Sequence, residues 1–480
     1  MSTSTTSQRR RVVITGIGVI CPLGNSPEKM WEHLSTGRTG IDALQSIPKL
    51  ESLIKYGGEA KQFTGQIDDF GTLRKDQKKA IRKGLKVMCR ETKMAVAAAQ
   101  HAISDSGYES EEALARNPDC QNSERAGVVF GSDYMLSQPQ DLSNGMVHCG
   151  VRQNDFQFNR WGTDGLSQMN PLWMLKYLPN MPGSHIAIFN DLRGPNNSLT
   201  LREIAGIMAI REAAQTIQRN HADRMVAGAT GTRIHPFKTI HAIFSEQLAD
   251  PTLPPERAAR PFDQNRTGMV IGEGAAALVL EELESARSRG ATIYAEILGT
   301  GSSTVTDSNL CSQRQVALAN AMRSALVNTG NLNTGRQGTN GTSLENLAAS
   351  DNPRQNQIIQ ATAALGHLNA HGLGTQQSDV EEARAIVELF GHRSQPIPVV
   401  AVKSYFGNLG AASGIVELIA SLLALREGRL FPSLNYDTPD SQCPLAVAMG
   451  NDTPAGQSFL KSSVTPQGQA AALHVGLVAA

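Results

Sequence analysis

The sequence predicts an α/β protein in which helices cover a largely parallel sheet. Short apolar runs rich in β-branched residues, bounded by glycine or proline, alternate along the chain with longer segments of helical periodicity. This alternation is typical of layered α/β folds. The length of 480 residues exceeds what a domain of about 150 residues needs, so we expect two or three domains or one large two-part core.

Local signals place the elements in this pattern. Ser26 can cap a helix, Pro27 suits its first turn and Gly37 can end it. The strands at 275–283 and 291–301 are expected to pair around a short charged helix. In chain order, we predict strands within 11–24, 126–132, 224–230, 275–283, 291–301 and 398–402, and helices at 26–37, 78–106, 204–219, 313–328 and 415–426.

Three segments stand outside the alternation, and they set the expected domain bounds. Residues 1–10 are rich in Ser, Thr and Arg and predict a disordered tail, whereas residues 133–190 predict an irregular surface excursion. Residues 328–357 hold seven Asn, four Gly and no aromatic residue, which predicts an exposed polar insert. The rest divides into an N-terminal half, 11–270, and a C-terminal half, 271–480.

Composition excludes several classes of protein. The chain has 44 Lys+Arg and 44 Asp+Glu, and this zero net charge argues against general nucleic-acid binding. The sequence contains no run of about 18 apolar residues, so we expect no membrane span. Six scattered cysteines without a CxxC pair favour neither a disulfide framework nor a zinc ribbon, and we expect a cytoplasmic protein. The glycines of GIGVICPLG lack the full dinucleotide pattern, so no cofactor or metal is expected.

Four segments together resemble the β-ketoacyl-acyl-carrier-protein synthase family. In chain order they are RRVVITGIGVICPLG (10–24), RPFDQNRTGMVIGEGAAALVLEELESARSRGATIYAEILG (260–299), NAHGLGTQQSDVEE (369–382) and AVKSYFGNLGAASGIVEL (401–418). The resemblance implies a thiolase-like layered α/β fold, α-β-α-β-α, made of two similar βαβαβαββ halves. It also implies a dimer built through the N-terminal half and a basic patch that receives acyl carrier protein.

The family's chemistry depends on a cysteine at the N-terminus of a buried helix, where the helix dipole favours the thiolate. Two histidines assist the loss of carbon dioxide from a malonyl unit, and a lysine and a carboxylate order the first histidine. In this sequence the nucleophile position lies in RGPNNSLTLREIAG and falls on Glu203. The sequence has no cysteine between Cys149 and Cys311 that could replace it.

The resemblance assigns the other site positions one by one. The first histidine is His371, and the lysine is Lys403, 32 residues further on. The helix carboxylate is assigned to Glu382, and we expect a buried Lys403–Glu382 ion pair. The second-histidine position, five residues after the lysine, holds Asn408.

The roles of Glu203 and His371 leave the chemistry open. Glu203 is compatible with a relic carboxylate that caps its helix, with a plug at the acyl site, or with a general base; the helix dipole favours its charged form and burial opposes it. His371 is either functional or a structural hydrogen-bonding group. The family's glycine-rich gating loop maps to 463–475, where Gly468 is the only glycine and the gating Phe is missing.

Three functions therefore remain as hypotheses, and the sequence leaves open whether the protein is an enzyme. The first is a pseudoenzyme subunit that cannot condense by itself, resembling the chain-length factors; those proteins usually carry Gln at the nucleophile position, from which Glu203 departs. The second is an active acyltransferase or malonyl decarboxylase that uses Glu203 and His371. The third is a non-catalytic scaffold that binds acyl groups or acyl carrier protein. Expected partners are acyl carrier protein and either a second copy of the chain or an active ketoacyl synthase.

Overall fold

The computed structural model describes residues 10–47, 54–327, 358 and 362–478. The predicted tail, apart from Arg10, and the predicted polar insert at 328–357 lie outside the described residues.

The described residues form thirteen strands. They are β1 (Val12–Ile20), β2 (Asp42–Ala43), β3 (Tyr56–Gly57), β4 (Ala126–Gly131), β5 (Asn196–Leu199), β6 (Arg224–Thr232), β7 (Glu273–Glu282), β8 (Ala295–Thr304), β9 (His367–Asn369), β10 (Pro398–Val400), β11 (Ala446–Val447), β12 (Ser458–Val464) and β13 (Gln469–Gly476). Eleven of these pair in the order β11-β10-β9-β12-β13-β8-β1-β7-β6-β4-β5, while β2 and β3 form a separate ribbon.

The α-helices of the described residues lie between these strands. They are Pro27–Thr36, Lys75–Gly84, Arg90–Ser106, Glu111–Arg116, Pro139–His148, Met181–Asn190, Ala205–Gln218, Pro236–Ser245, Pro255–Ala258, Leu283–Ser288, Arg314–Val327, Gln376–Phe390, Lys403–Phe406 and Ser413–Glu427. The capping prediction for the first helix is confirmed: the Ser26 side chain accepts a hydrogen bond from Lys29 N at 3.3 Å, and Gly37 ends the helix with φ +66°.

The strand order contains the same arrangement twice. Each half contributes five strands, numbered here along the chain: β1, β4, β5, β6 and β7 in the first half, and β8, β9, β10, β12 and β13 in the second. In the sheet, both sets lie in the order third, second, fourth, fifth, first. The halves meet where β1 pairs with β8 through Val13 opposite Glu296 and Ile14 opposite Ala295. The predicted thiolase-like fold with two βαβαβαββ halves is confirmed.

Two helices form the middle layer between the halves. Ala205–Gln218 packs on β4 and β6, and Ser413–Glu427 packs on β12 and contacts both the first helix and β7. Both helices contribute to one large apolar core of fully buried Ile, Leu, Val and Ala side chains. Outer helices cover the far faces, with Arg90–Ser106 on β1 and Arg314–Val327 on β8. The layers are therefore α-β-α-β-α, and one end of the molecule holds the starts of both central helices.

Several local expectations need correction. The sheet is mixed rather than largely parallel, because β7 and β13 run antiparallel to both of their neighbours. The two strands near 275–283 and 291–301 do not pair with each other, since β1 lies between them. The boundary predicted at 270/271 would cut the first half before its last strand; β7 pairs with first-half strands, so the halves change over between β7 and β8.

The N-terminal half contains two further differences. The helix predicted at 78–106 is two helices, because the chain is extended at Met88 and Cys89. The predicted excursion at 133–190 contains two helices, Pro139–His148 and Met181–Asn190, and is irregular mainly through its short turns at 151–177. The second of these helices packs on Arg90–Ser106. In the part of the chain that the structure describes, no helix combines the length and apolarity needed to cross a bilayer.

Candidate active site

The candidate site lies where the two central helices begin. Glu203 sits in a single 3₁₀ turn, Arg202–Ile204, that leads directly into the helix Ala205–Gln218. Arg202 has φ +49°, a left-handed conformation that is uncommon outside glycine. Asn408 lies in the loop before the second central helix. The backbone carbonyl of Glu203 borders Gly414 in that helix, so the two halves of the fold meet here.

The Glu203 carboxylate is buried among two guanidinium groups and one amide. Its Oε1 accepts hydrogen bonds from Arg233 and, at 3.2 Å, from Asn408 Nδ2. Its Oε2 lies 3.4 Å from Arg202 Nε, and the other end of Arg202 pairs with Glu246 at 2.8 Å. Glu203 and Arg233 are each only 1% exposed. We call Glu203, Arg202, Arg233 and Asn408 the Glu203 cluster.

The charge state of Glu203 follows from these neighbours. Burial raises the pKa of this carboxyl, but Arg233, Arg202 and the Asn408 amide outweigh burial and lower the pKa to about 2. The charged form expected at the helix N-terminus is therefore favoured, and Arg233 contributes most to stabilising it. Glu203 is ionised at neutral pH and is a weak base.

The Asn408 side chain is fully engaged within the protein. Its Nδ2 donates to Glu203 and lies 3.5 Å from Met269 Sδ. Its Oδ1 accepts from Gly410 N at 3.0 Å and from the Ser413 hydroxyl at 3.1 Å. The Asn408 amide, which the resemblance assigns to the second-histidine position, is thus oriented by contacts to Glu203 and to the start of the central helix.

His371 and Lys403 are brought together, as the resemblance implies. Lys403 Nζ donates to the His371 carbonyl at 2.7 Å and lies 3.3 Å from His371 Nδ1. Burial lowers the pKa of His371 well below its usual range, and Lys403 and Lys461 lower it further. A neutral ring whose Nδ1 faces an ammonium carries its hydrogen on Nε2. His371 is therefore fixed as a neutral donor through Nε2.

The predicted Lys403–Glu382 ion pair is wrong. Lys403 Nζ instead pairs with Glu417 Oε1 at 2.6 Å, and the other oxygen of Glu417 accepts from Lys461. We call Lys403, Lys461 and Glu417 the lysine cluster. Lys461 also donates to the Ala370 carbonyl at 3.0 Å. Burial lowers the pKa of Lys461 to about 8, with Glu417 opposing this shift and Lys403 adding to it.

Glu382 holds the backbone beside His371 instead of the lysine. It accepts from His371 N at 2.7 Å and Gly372 N at 2.8 Å. One helical turn earlier, Asp379 accepts from Gly374 N at 3.0 Å and Phe262 N at 2.8 Å. The helix Gln376–Phe390 thus supplies two carboxylates that fix the loop following β9. They satisfy buried N–H groups that would otherwise be costly.

The segment mapped to the gating loop is mostly strand. Residues 463–475 contain the end of β12, the turn 465–468 and most of β13. Gly468, with φ +82°, donates to the Thr465 carbonyl at 3.0 Å and closes the turn. The segment is thus a tight hairpin.

Sequence reasoning missed four charged residues at this site, and one of them, Arg202, directly precedes Glu203 in the chain. Glu417 lies within the quoted segment 401–418, so its position on the helix after Asn408 was a usable signal. Lys461 was visible as one lysine inside an apolar strand, and Arg233 as a charge just after the buried strand β6. Neither pattern names a partner, and only the fold brings these charges to Glu417 and Glu203.

Within the described residues, no group of three or more His, Cys, Asp or Glu side chains is arranged to hold a metal ion.

Comparison with protein-family models gives two matches on this chain. The β-ketoacyl synthase N-terminal domain matches residues 9–286, and the C-terminal domain of the same family matches residues 339–437. The first match ends between β7 and β8, where the two halves of the fold change over.

Curated relatives align over nearly the whole chain. A 3-oxoacyl-[acyl-carrier-protein] synthase 2 from Coxiella burnetii is 30% identical over 459 residues, which cover 94% of this chain and 96% of that protein. A protein of the same description from Synechocystis is 30% identical over 92% of both chains.

Solved structures share the fold. A β-ketoacyl synthase from Burkholderia phymatum superposes with a TM-score of 0.76 at 24% identity, over 98% of this chain and 100% of that chain. The ishigamide ketosynthase/chain length factor gives 0.74 at 24% identity, with the same coverage. A type II polyketide ketosynthase bound to its acyl-carrier protein gives 0.74 at 22% identity, again over 98% and 100%. This chain belongs to the β-ketoacyl synthase family.

Proposed function

We propose that this protein is a β-ketoacyl synthase-family subunit of fatty-acid or polyketide synthesis that does not condense by itself and works beside a cysteine-bearing synthase. The observation that carries this proposal is the buried ion pair of Glu203 with Arg233, at the position that the resemblance assigns to the nucleophile. Acyl transfer in this family needs a thiolate that forms a thioester. A carboxylate held between two guanidinium groups cannot take the place of this thiolate.

The charge of Glu203 also argues against a new role as general base. A base works best when its pKa lies near the working pH. The pKa of Glu203, lowered to about 2, lies far below neutrality. Asn408 adds to this loss of catalytic function, because its amide donates its hydrogen bond to Glu203. The proposal therefore treats this half of the site as closed to chemistry.

A partner role needs a docking surface, and one helix offers a suitable one. Six cations follow helical spacing on one exposed side of the helix Lys75–Gly84 and the turn after it: Lys75, Lys78, Lys79, Arg82, Lys83 and Lys86. The nearest anion to Lys78 is Asp68, at 3.7 Å. Such a basic face attracts an acidic partner and speeds its encounter. We propose that acyl carrier protein docks on this helix.

Charge reversal tests the docking face. Lys79→Glu combined with Lys83→Glu is expected to weaken binding of acyl carrier protein at least tenfold and to reduce its salt dependence, as measured by calorimetry. Lys29→Glu, on another exposed helix, is the matched control and is expected to change binding little. Equal weakening by both variants would contradict docking at this helix.

The main experiment measures radiolabelled acyl transfer and carbon dioxide release from malonyl carrier protein. The purified wild type is expected to give neither, whereas Glu203→Cys is expected to become labelled. The wild type is its own control, because its six native cysteines remain in both proteins. Condensation is expected only when an active synthase from the same source is added and co-purifies with this chain. Covalent label on the wild type would refute the proposal.

A second candidate, malonyl decarboxylation, is favoured by one observation. His371 is a neutral donor fixed by Lys403, at 3.3 Å, as a group that polarises a thioester carbonyl would be. Carbon dioxide release by the wild type that His371→Ala abolishes would establish this activity. If no assay detected activity while acyl carrier protein still bound, the hypothesis of a non-catalytic scaffold would remain.

A further inference from the structure

The interior around Glu203 contains more cationic hydrogen-bonding capacity than this side chain uses. Arg233 is buried and its Nε has no hydrogen-bond partner among the described residues. The same holds for Asp133 Oδ2, whereas Arg202 Nε and Glu203 Oε2 make no hydrogen bond but face each other at 3.4 Å as an ion pair. Buried polar atoms are usually hydrogen-bonded, so atoms without such a bond, gathered at one point, are unusual.

The backbone of Gly410 approaches these atoms closely. A Cβ placed on Gly410 would lie 3.0 Å from Asp133 Oδ2 and 3.7 Å from Arg233 Nε. Gly410 has φ +61°, a conformation that other residues rarely adopt. Arg233 and the carboxylates of Asp133 and Glu203 therefore converge beside a backbone position that carries no side chain.

The charges of Arg233 and Arg202 determine which chemical group position 203 accepts. Arg233 cannot lose its proton in a protein interior, and an uncompensated buried charge is strongly destabilising. Arg202 shares its charge with Glu246, and the carboxylate of Asp133 lies beside Arg233 at Gly410. Guanidinium groups bind carboxylates in a planar, often bidentate geometry.

We propose that Arg233 and Arg202 form a buried carboxylate-binding site at position 203, which the side chain of Glu203 itself fills as an internal ligand. The ligand class is a small carboxylate of the size of formate or acetate. This inference concerns binding alone, so it holds or fails independently of the proposed partner role.

Chemical rescue tests the site directly. Glu203→Ala is expected to lower the melting temperature, and sodium formate or acetate is expected to restore most of that loss in a saturable manner. Sodium chloride at equal ionic strength is expected to restore little. Asn408→Ala is the matched control, because it removes a group that touches the same carboxylate but keeps the ion pair; carboxylates are expected to leave it unchanged. Equal effects of chloride and acetate, or no rescue of Glu203→Ala, would overturn the proposal.

A second variant covers the case in which Glu203→Ala fails to fold. In Glu203→Cys, the arginines are expected to stabilise the thiolate at position 203. Alkylation by iodoacetamide, followed by mass spectrometry of the peptide spanning 203, is expected to show a midpoint at least one pH unit below the ordinary thiol value of about 8.5. Adding Arg233→Met is expected to remove this shift. A midpoint at or above 8.5 in Glu203→Cys would overturn the proposal.

Discussion

The two halves of the fold each place a buried glutamate between two cations, but they use different cations. In the Glu203 cluster the partners are Arg233 and Arg202, one on each carboxylate oxygen. In the lysine cluster the partners of Glu417 are Lys403 and Lys461, again one on each oxygen. The two clusters lie beside the starts of the two central helices.

This difference decides which cluster can respond to its surroundings. A guanidinium stays charged at any physiological pH, whereas a buried ammonium titrates readily. The Glu203 cluster is therefore a permanent ion pair. The lysine cluster contains Lys461, whose pKa is lowered to about 8, and it holds His371 through Lys403. Four measurements can break or sharpen this contrast.

The largest effect is expected from Glu203→Gln. This change leaves Arg233 buried beside a neutral amide, and the guanidinium has no means of losing its charge. We expect the free energy of unfolding to fall by about 4 kcal/mol, with no dependence on pH between 6 and 9. Chemical denaturation measures it, and Glu32→Gln in an exposed pair with Lys29 is the control that changes little. A loss that shrinks at high pH would contradict a permanent ion pair.

The same substitution in the other half, Glu417→Gln, is expected to cost less. It leaves two ammonium groups without their shared carboxylate, but Lys461 can lose its proton, because burial lowers its pKa to about 8. We expect a loss of about 3 kcal/mol at pH 7 that becomes smaller towards pH 9. Denaturation curves at both pH values measure it. If the loss equalled that of Glu203→Gln at both values, the two clusters would not differ in the way argued above.

Lys461→Met isolates the titration inside the lysine cluster. Because the pKa of Lys461 falls from 10.5 in the unfolded chain to about 8, the unfolded chain binds more protons between these values. Stability contributed by this group therefore increases as pH rises from about 8 to about 10.5. We expect the wild type to gain stability relative to Lys461→Met over this window. A constant difference between the two proteins would show that Lys461 keeps an ordinary pKa.

The smallest effect is expected beside His371, at Asp379. Burial raises the pKa of this carboxyl to about 7, opposed by the Phe262 N–H and increased by the neighbouring charge of Glu382. The protonated form of Asp379 is thus favoured in the folded protein. Its contribution to the free energy of unfolding is complete below about pH 4 and is lost as pH rises through about 7. We expect Asp379→Asn to gain stability relative to the wild type across this range in thermal melts. Parallel melting curves would mean that Asp379 titrates normally.

Much of the fold could be predicted from local sequence. The β-branched run of β1, the capped helix Pro27–Thr36 and the helix Ala205–Gln218 all follow from short-range patterns. The long helix predicted over 78–106 failed because the small and apolar periodicity continues through Met88 and Cys89. Periodicity reports which face is buried and carries little information about where the backbone turns.

The site was predicted less evenly. Glu203 contacts Asn408 and His371 contacts Lys403, and each pair joins two residues that the resemblance assigns to one site. Glu382 was assigned the wrong partner, since it and Glu417 both lie on helices that follow a site motif. Sequence distance from Lys403 does not distinguish two carboxylates whose contacts depend on how their helices pack.

The sequence by itself determined what stands at position 203 and excluded a cysteine there. It also determined the caps, the strand runs and the order of the motifs, since these depend on residues close together in the chain. Only the tertiary structure decided that Arg233 neutralises Glu203 and that Lys461 joins Lys403 on Glu417. These pairs all link different elements, with 14 residues between Lys403 and Glu417, 30 between Arg233 and Glu203 and 44 between Lys461 and Glu417. Buried charges take as partners whichever opposite charges packing brings within reach.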